Sequence, residues 1–69
     1  MNMYLGKLTR EVRVYDIQTE QFIMCLPKNK LVFFLKKTGK YWLEILCSSY
    51  MGKISLKQHE KINDLLNEV

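Results

Sequence analysis

Few residues of this 69-residue chain could carry out chemistry on their own. His59 is the one histidine and stands in a polar stretch, where we expect a solvated side chain rather than a general base. Cys25 and Cys47 form no CxxC pair, and with a single histidine they are too few ligands for a structural zinc site. No phosphate-binding glycine loop or nucleophile–base set is present. We therefore expect no enzyme, no metal and no cofactor.

Side chains suited to binding are better represented than catalytic ones. Eleven Lys and Arg stand against seven Asp and Glu, and the net charge of +4 favours association with polyanions or with an acidic protein face. Aromatic side chains could stack on nucleic-acid bases or fill a pocket on a protein partner. The residues we expect on a binding surface are Tyr15, Phe33, Lys36, Lys37, Lys40, Tyr41, Trp42 and Tyr50.

The length and hydropathy of the chain limit its class. Sixty-nine residues are enough for one domain of marginal stability, which self-association or a partner could support. The N-terminal residues lack a charged start followed by an apolar core, so we expect no signal peptide. No apolar run approaches the roughly 20 residues of a membrane span. We expect a cytoplasmic protein with reduced cysteines and no contact with a membrane.

The first half of the chain predicts two strands after a partly extended lead-in over residues 1–8. Val12 and Val14 alternate with Arg13, a period-2 pattern that places the two valines on one face. Residues 16–21 are polar and poor in strand formers, so they predict a loop. The run 22–26 resumes the extended pattern, and Pro27 ends it because proline cannot donate a ladder hydrogen bond.

Residues 31–56 predict three further strands and most of the core. The run 31–35 is apolar on both faces, and its β-branched and aromatic content favours a strand. Residues 36–40 predict a hairpin loop in which Gly39 supplies a positive φ, and strands follow over 41–47 and 52–55. By parity we expect an inward-facing set of Val12, Val14, Met24, Leu26, Val32, Phe34, Ile45, Cys47 and Ile54.

The C-terminal segment predicts a helix over about 56–68. Ser55 and Gln58 have the capping-box spacing. Apolar residues then recur at i, i+3, i+4 and i+7, at Ile62, Leu65, Leu66 and Val69. We expect Phe33 on the outer face of its strand, beside Leu31, Leu35, Leu43 or Leu46. Together these side chains would expose more apolar surface than a small monomer normally leaves in water. We expect the helix to cover it.

Together these strands resemble the Src-homology-3-like (SH3-like) barrel. The segment KKTGKYWLEI is similar to the distal hairpin of that family, which runs into a tryptophan, here Trp42. The segment VRVYD resembles the opening strand of that family, which ends in Tyr-Asp. The segment MGKIS resembles the step before the short final turn of the barrel. The resemblance implies a mainly β fold, a five-stranded SH3-like barrel over about 9–55 with a short C-terminal helix, in a single domain over 1–69.

The resemblance also implies a function. Eukaryotic members seat partner segments on aromatic residues that match Tyr15 and Trp42, with Tyr41 and Tyr50 expected nearby. Ser55 and Gln58 stand where the family has Pro and Tyr, which disfavours a proline-rich ligand. We expect a non-catalytic protein-binding module, a regulator or inhibitor of a larger cytosolic partner. The alternative is a nucleic-acid-binding barrel that uses its lysine-rich loops and exposed aromatics.

Overall fold

Seven antiparallel strands in one sheet make up most of the protein. The computed structural model describes residues 3–69, so the predicted lead-in over residues 1 and 2 lies outside the described residues. The strands are β1 (Tyr4–Leu8), β2 (Val12–Tyr15), β3 (Phe22–Leu26), β4 (Leu31–Thr38), β5 (Trp42–Cys47), β6 (Tyr50–Ser55) and β7 (Leu66–Glu68). A one-turn helix, α1 (Ile62–Leu65), precedes β7. The mainly β class is confirmed.

The strand order is β3-β2-β6-β5-β4-β1-β7, so β3 and β7 are the two edges and the sheet is not closed. The five-stranded prediction missed β7 and left the lead-in strand β1 out of the barrel. Residues from both ends of the sheet nevertheless share one core, because Val12 and Leu26 join the same cluster as Leu8 and Leu66. The sheet must therefore curl, and bulges at Ile23 and Leu35 provide places where it can bend.

The predicted inward parity is confirmed along most strands. Seven of the nine predicted positions are buried, namely Val12, Val14, Leu26, Val32, Phe34, Ile45 and Ile54, and Cys47 is half-buried against them. Met24 was predicted to face inward but is 36% exposed, because it lies on the edge strand next to the Ile23 bulge. Leu43 was predicted on the outer surface but is fully buried, since it shares the parity of Ile45.

The hairpin between β4 and β5 begins later than predicted. Strand β4 continues through Thr38, and residues 39–41 make the turn instead of 36–40. The positive φ expected at Gly39 is confirmed at 66°. Pairing between Thr38 and Trp42 holds the two strands together up to this turn.

The C-terminal segment forms a short helix, as predicted, but the extent of 56–68 is wrong. Ser55 is the last residue of β6, and the left-handed φ of 70° at His59 is incompatible with a helix there. The helix instead begins after Lys61, whose backbone N–H donates to Oδ2 of Asp64 at 2.9 Å. After α1 the chain forms a strand, in which Leu66 pairs with Leu8 and is buried. This pairing satisfies the backbone hydrogen-bonding groups on the free edge of β1. Phe33 stays 46% exposed, so the prediction that the helix covers it is wrong.

Candidate binding surface

Three aromatic rings from three strands pack together on the outer face, the side of the sheet away from the core. Tyr15 of β2 lies edge-on to Trp42 of β5, with ring centroids 5.6 Å apart. Phe22 of β3 meets the other side of Tyr15 at 6.0 Å, also edge-on. We call these three residues the aromatic cluster. Phe22 is 54% exposed and the other two are half-buried, so the cluster presents a fixed apolar surface to solvent.

Gly52 allows β2 to lie close enough to β6 to form this cluster. A Cβ atom at Gly52 would lie 2.4 Å from Cγ1 of Val14 and 3.1 Å from the carbonyl oxygen of Tyr15. The first distance is shorter than Cβ contacts in proteins allow, and the second is tighter than most of them. The single register pair between the two strands, Tyr15 with Lys53, follows directly after this crossing. A residue without a side chain at position 52 is therefore what brings Tyr15 beside Trp42.

An ion pair between a buried lysine and an exposed glutamate lies next to the cluster. The side chain of Lys53 is 7% exposed, and its Nζ donates to Oε2 of Glu20 at 2.7 Å. The same ammonium lies 4.3 Å from the centroid of the Trp42 ring, within the range of a cation–π interaction. Glu20 keeps 60% of its side chain in solvent. Lys53 therefore contacts the Trp42 ring while Glu20 balances its charge.

The loop 16–21 is built to present Glu20 at this position. Oδ1 of Asp16 accepts hydrogen bonds from the backbone N–H groups of Gln18 and Thr19, both at 2.8 Å. These two bonds lower the pKa of Asp16, because they stabilise the charged carboxylate. The backbone N–H of Glu20 donates to the carbonyl of Asp16, and Glu20 adopts a left-handed φ of 63°. A non-glycine residue held in this conformation indicates that the loop is over-determined by its hydrogen bonds.

A depression of about 380 Å³ lies beside the cluster, where β2 and the end of β6 diverge. Its lining includes Arg10, Arg13, Tyr15, Ser55 and Lys57. Arg10 donates from Nε and Nη2 to the two carboxylate oxygens of Glu60, at 3.1 and 2.7 Å, and from Nη2 to the carbonyl of Ser55.

The hydrogen bonds that the Arg10 side chain donates are the main reason that the pKa of Glu60 is lowered, and burial of the carboxylate opposes this shift. Arg10 thus holds the chain that leaves β6 against the start of β2.

The other predicted binding residues do not join the cluster. Lys36, Lys37, Lys40 and Tyr41 lie at and beside the β4–β5 turn, all exposed, with Nζ of Lys40 5.6 Å from the Tyr41 ring centroid. Tyr50 begins β6 at the far end of the hairpin, since it pairs with Cys47 while Ser55 pairs with Trp42. Five residue steps separate those pairs, about 17 Å along a strand.

Phe33 belongs to a second apolar region of the outer face. Leu5, Phe33, Leu46 and Met51 pair in register across β1, β4, β5 and β6. We call these four residues the Phe33 row. At the usual strand spacing the row is about 14 Å long. Phe33 is 46% exposed, and its neighbours in the row are all apolar. The predicted outward orientation of Phe33 is confirmed.

Sequence reasoning identified Tyr15 and Trp42 but missed Phe22 and the pair of Lys53 with Glu20. Phe22 begins an edge strand and precedes a bulge, so simple alternation does not reveal its face. Lys53 and Glu20 are 33 positions apart, and only the β2–β6 pairing brings them together. The one available signal was a lysine between Gly52 and Ile54 in a strand with a buried face.

No catalytic arrangement is found in the described part of the chain. His59 is exposed in a turn, Cys25 is exposed on β3, and Cys47 is half-buried. Within residues 3–69, no three His, Cys, Asp or Glu side chains lie close enough to bind a metal ion together. In the same range no helix has the length and apolar character needed to cross a bilayer.

No protein-family model matches this chain, and no significant similarity to a curated protein or to a solved structure was found. The function is therefore inferred from the geometry of the outer face.

Proposed function

We propose that the chain is a non-catalytic protein-binding module whose partner docks on the aromatic cluster. The observation that supports this most is the packing of Tyr15 against Trp42, with Phe22 exposed beside them. Energetically important residues of protein interfaces are enriched in Trp and Tyr. A cytosolic regulator or inhibitor of a larger protein would need no more than such a surface.

The surroundings of the cluster support a protein ligand. Two rings are already held in place by neighbouring strands, so binding would cost little side-chain entropy. The ammonium of Lys53 is neutralised by Glu20, which leaves an apolar centre. Arg13 lies at the margin, with its guanidinium carbon 5.8 Å from the Phe22 ring centroid. An apolar centre with a charged margin is the usual arrangement of a protein interface.

The proposal includes the SH3-like relationship suggested by the sequence. It is supported by the contact between Tyr15 and Trp42, the two residues that match the partner-binding aromatics of that family. A proline-rich ligand is not part of the proposal, since Ser55 and Gln58 replace the Pro and Tyr of the family groove. The partner is instead expected to place an apolar side chain against Phe22 and Trp42.

Affinity capture with matched baits tests this proposal. The baits are the unmodified chain, Phe22→Ala, Trp42→Ala and Phe33→Ala, each incubated with nuclease-treated lysate of the native host. We expect a protein retained by the unmodified chain and by Phe33→Ala. Retention should fall roughly tenfold or more with Phe22→Ala and Trp42→Ala, because a central contact typically contributes 2 kcal/mol or more. Phe22 and Phe33 are both about half exposed, so their replacement is a matched comparison.

The single tryptophan provides a second readout. Trp42 is the only tryptophan, so its emission should shift when the purified partner docks on the cluster. Equal retention by all four baits would contradict the proposal. Binding of random-sequence DNA or RNA at low salt, weakened by Lys36→Ala and Lys37→Ala, would favour the nucleic-acid alternative, because phosphate contacts are strongest there.

A further inference from the structure

Strand β3 is an edge strand without charged side chains. It pairs with β2 on one side, and no other strand of residues 3–69 pairs with its second side. Its sequence is Phe-Ile-Met-Cys-Leu, and Phe22, Met24 and Cys25 are all exposed. An exposed apolar edge presents unpaired N–H and C=O groups to any chain that can align with it.

The two edges of the sheet differ in how they are protected. The opposite edge, β7, has three residues and carries Asn67 and Glu68 in exposed positions. On β3, protection is confined to the ends of the strand, where Ile23 forms a bulge and Pro27 follows the last residue. Between them the regular stretch from Met24 to Leu26 is open for pairing.

We propose that a second copy of this chain pairs antiparallel with β3, with Cys25 opposite Cys25 of the other copy on a two-fold axis. This register places Met24 opposite Leu26 and leaves both bulges outside the new ladder. A register centred on Met24 would instead set the bulged Ile23 opposite Cys25. In the chosen register every cross-strand pair is uncharged, so the strand is complementary to itself.

The positive charge of the chain does not oppose this contact strongly. The cation that pairs with Cys25 across the β2–β3 ladder, and so lies on the same face, is Arg13. Two such arginines would be separated by three strand spacings, about 14 Å. That exceeds the Debye length of about 8 Å at physiological ionic strength. The uncharged strand therefore favours pairing with a second copy, and repulsion between the two positively charged chains opposes this pairing only weakly.

The dimer would be weak and would carry two binding surfaces. A three-residue ladder buries far less than the roughly 800 Å² per partner of a standard stable interface, so we expect association at high micromolar concentration. A two-fold axis between neighbouring antiparallel strands is perpendicular to the sheet, so both aromatic clusters would lie on the same face. The proposal does not depend on what the cluster binds.

Oxidative trapping at Cys25 tests the register. Opposed residues of antiparallel strands have Cα atoms about 4.5–5.5 Å apart, within the range that a disulfide can bridge. The chain with Cys47→Ser is treated with diamide, which takes two electrons and two protons from two thiols and is reduced to the hydrazine as the disulfide forms. The comparator carries Cys25→Ser, Cys47→Ser and Ser49→Cys, with its one thiol in the exposed β5–β6 turn.

We expect the Cys25 thiols to form covalent dimer at least tenfold faster than the Ser49→Cys comparator. Equal rates would mean that the dimers arise from random collisions and would overturn the proposed register. The assay uses the natural residue at position 25, so its result does not depend on the folding of an edge-strand variant.

Sedimentation equilibrium under reducing conditions tests the association itself. The average mass of the unmodified chain should rise between about 20 and 500 μM, the range expected for a small interface. Cys25→Lys should abolish this rise, since it sets two like charges opposite each other across the axis. Phe33→Lys, the matched control on the other exposed apolar region, should leave the rise unchanged.

Circular dichroism of each variant verifies that it is folded. A monomer at every concentration would overturn the proposal. Loss of association with Phe33→Lys rather than Cys25→Lys would also overturn it, in favour of the Phe33 row as the contact.

Discussion

The aromatic cluster and the Phe33 row each expose about half of a phenylalanine on the same face of the sheet, but their surroundings differ. In the cluster, edge-on rings are combined with a buried lysine and with Glu20, which a hydrogen-bonded loop holds in place. The row has apolar neighbours that pair in register and carry no charge. The two regions thus have similar exposed apolar area and differ in the polar groups around it. Fixed polar groups at its margin add the directionality that specific recognition requires.

The largest effect is expected from Gly52→Ala. The new methyl group would meet Val14 and the Tyr15 carbonyl and push β2 away from β6, at a cost of about 2–3 kcal/mol. That is a large part of the roughly 3–10 kcal/mol available to a chain of this size. Urea unfolding followed by Trp42 fluorescence measures it. Gly39→Ala is the control, because that glycine has open space around it but a φ of 66°, and we expect about 1 kcal/mol there. Equal costs would contradict the close approach of β2.

The second effect is pH-dependent and comes from Arg10→Gln. Loss of the two hydrogen bonds from Arg10 to Glu60 should lower the free energy of unfolding by about 2 kcal/mol at pH 7. Because Arg10 lowers the pKa of Glu60, its stabilisation is present above the ordinary value of 4.5 and is lost as the pH falls through the depressed folded pKa.

The free energies of unfolding of the unmodified chain and of Arg10→Gln should therefore begin to converge as the pH falls below about 4.5, and meet once it is below the depressed pKa of Glu60. Lys28→Gln, at an exposed position in a turn, is the control, with less than about 0.5 kcal/mol expected. A difference that stays constant from pH 7 to pH 3 would contradict the role of the ion pair.

A smaller effect is expected from the ion pair under the cluster. Glu20→Gln leaves the buried Lys53 charged without its partner and should cost about 1 kcal/mol, limited because Glu20 keeps 60% of its side chain in water. Lys53→Met removes the charge together with its desolvation cost, so we expect a change within about 0.5 kcal/mol. Thermal unfolding of the two variants and of the double variant gives the coupling energy. A larger loss from Lys53→Met would mean that the pair itself stabilises the fold.

The smallest effect separates the two phenylalanines directly. Phe33→Thr should change the free energy of unfolding by less than about 0.5 kcal/mol, because threonine favours strands and the lost contacts are half exposed. Phe22→Thr should cost about 1 kcal/mol, since it removes the edge-on contact with Tyr15 and the contact with Arg13. Paired urea titrations measure both. Equal losses of unfolding free energy in the two variants would contradict the expectation that Phe22 contributes more to stability than Phe33.

Sequence reasoning was most successful where structure follows from side-chain alternation. The alternation of Val12 and Val14 around Arg13 identified a strand and its buried face. The run 31–35 was assigned as a strand from its β-branched and aromatic content, and parity then placed Val32 and Phe34 inward. Leu43 has the same parity as Ile45, so alternation correctly places it in the core. The prediction that it lies on the outer surface was wrong. Alternation failed at Met24, where a bulge on an edge strand leaves an apolar residue at the surface.

The C-terminal segment shows why periodicity can mislead. The spacing of Ile62, Leu65 and Leu66 suits a helix, and one turn does form there. Beyond it, hydrogen bonding with β1 outweighs local helix preference, because β1 would otherwise leave an edge unpaired beside a buried core. For the binding surface, likewise, residue types suggested Tyr15 and Trp42. The register of β2 against β6 added Lys53 and Glu20.

The sequence by itself determined the mainly β class, most strand positions, most of the buried positions in the predicted strands and two of the three aromatic residues of the cluster. Those properties depend on neighbours along the chain, since side chains alternate every second residue in a strand. Only the tertiary structure decided the order of seven strands, the open edge at β3 and the burial of Lys53 beneath Trp42. These depend on which strands lie side by side and in what register, and that is set by how one curved sheet encloses a single core.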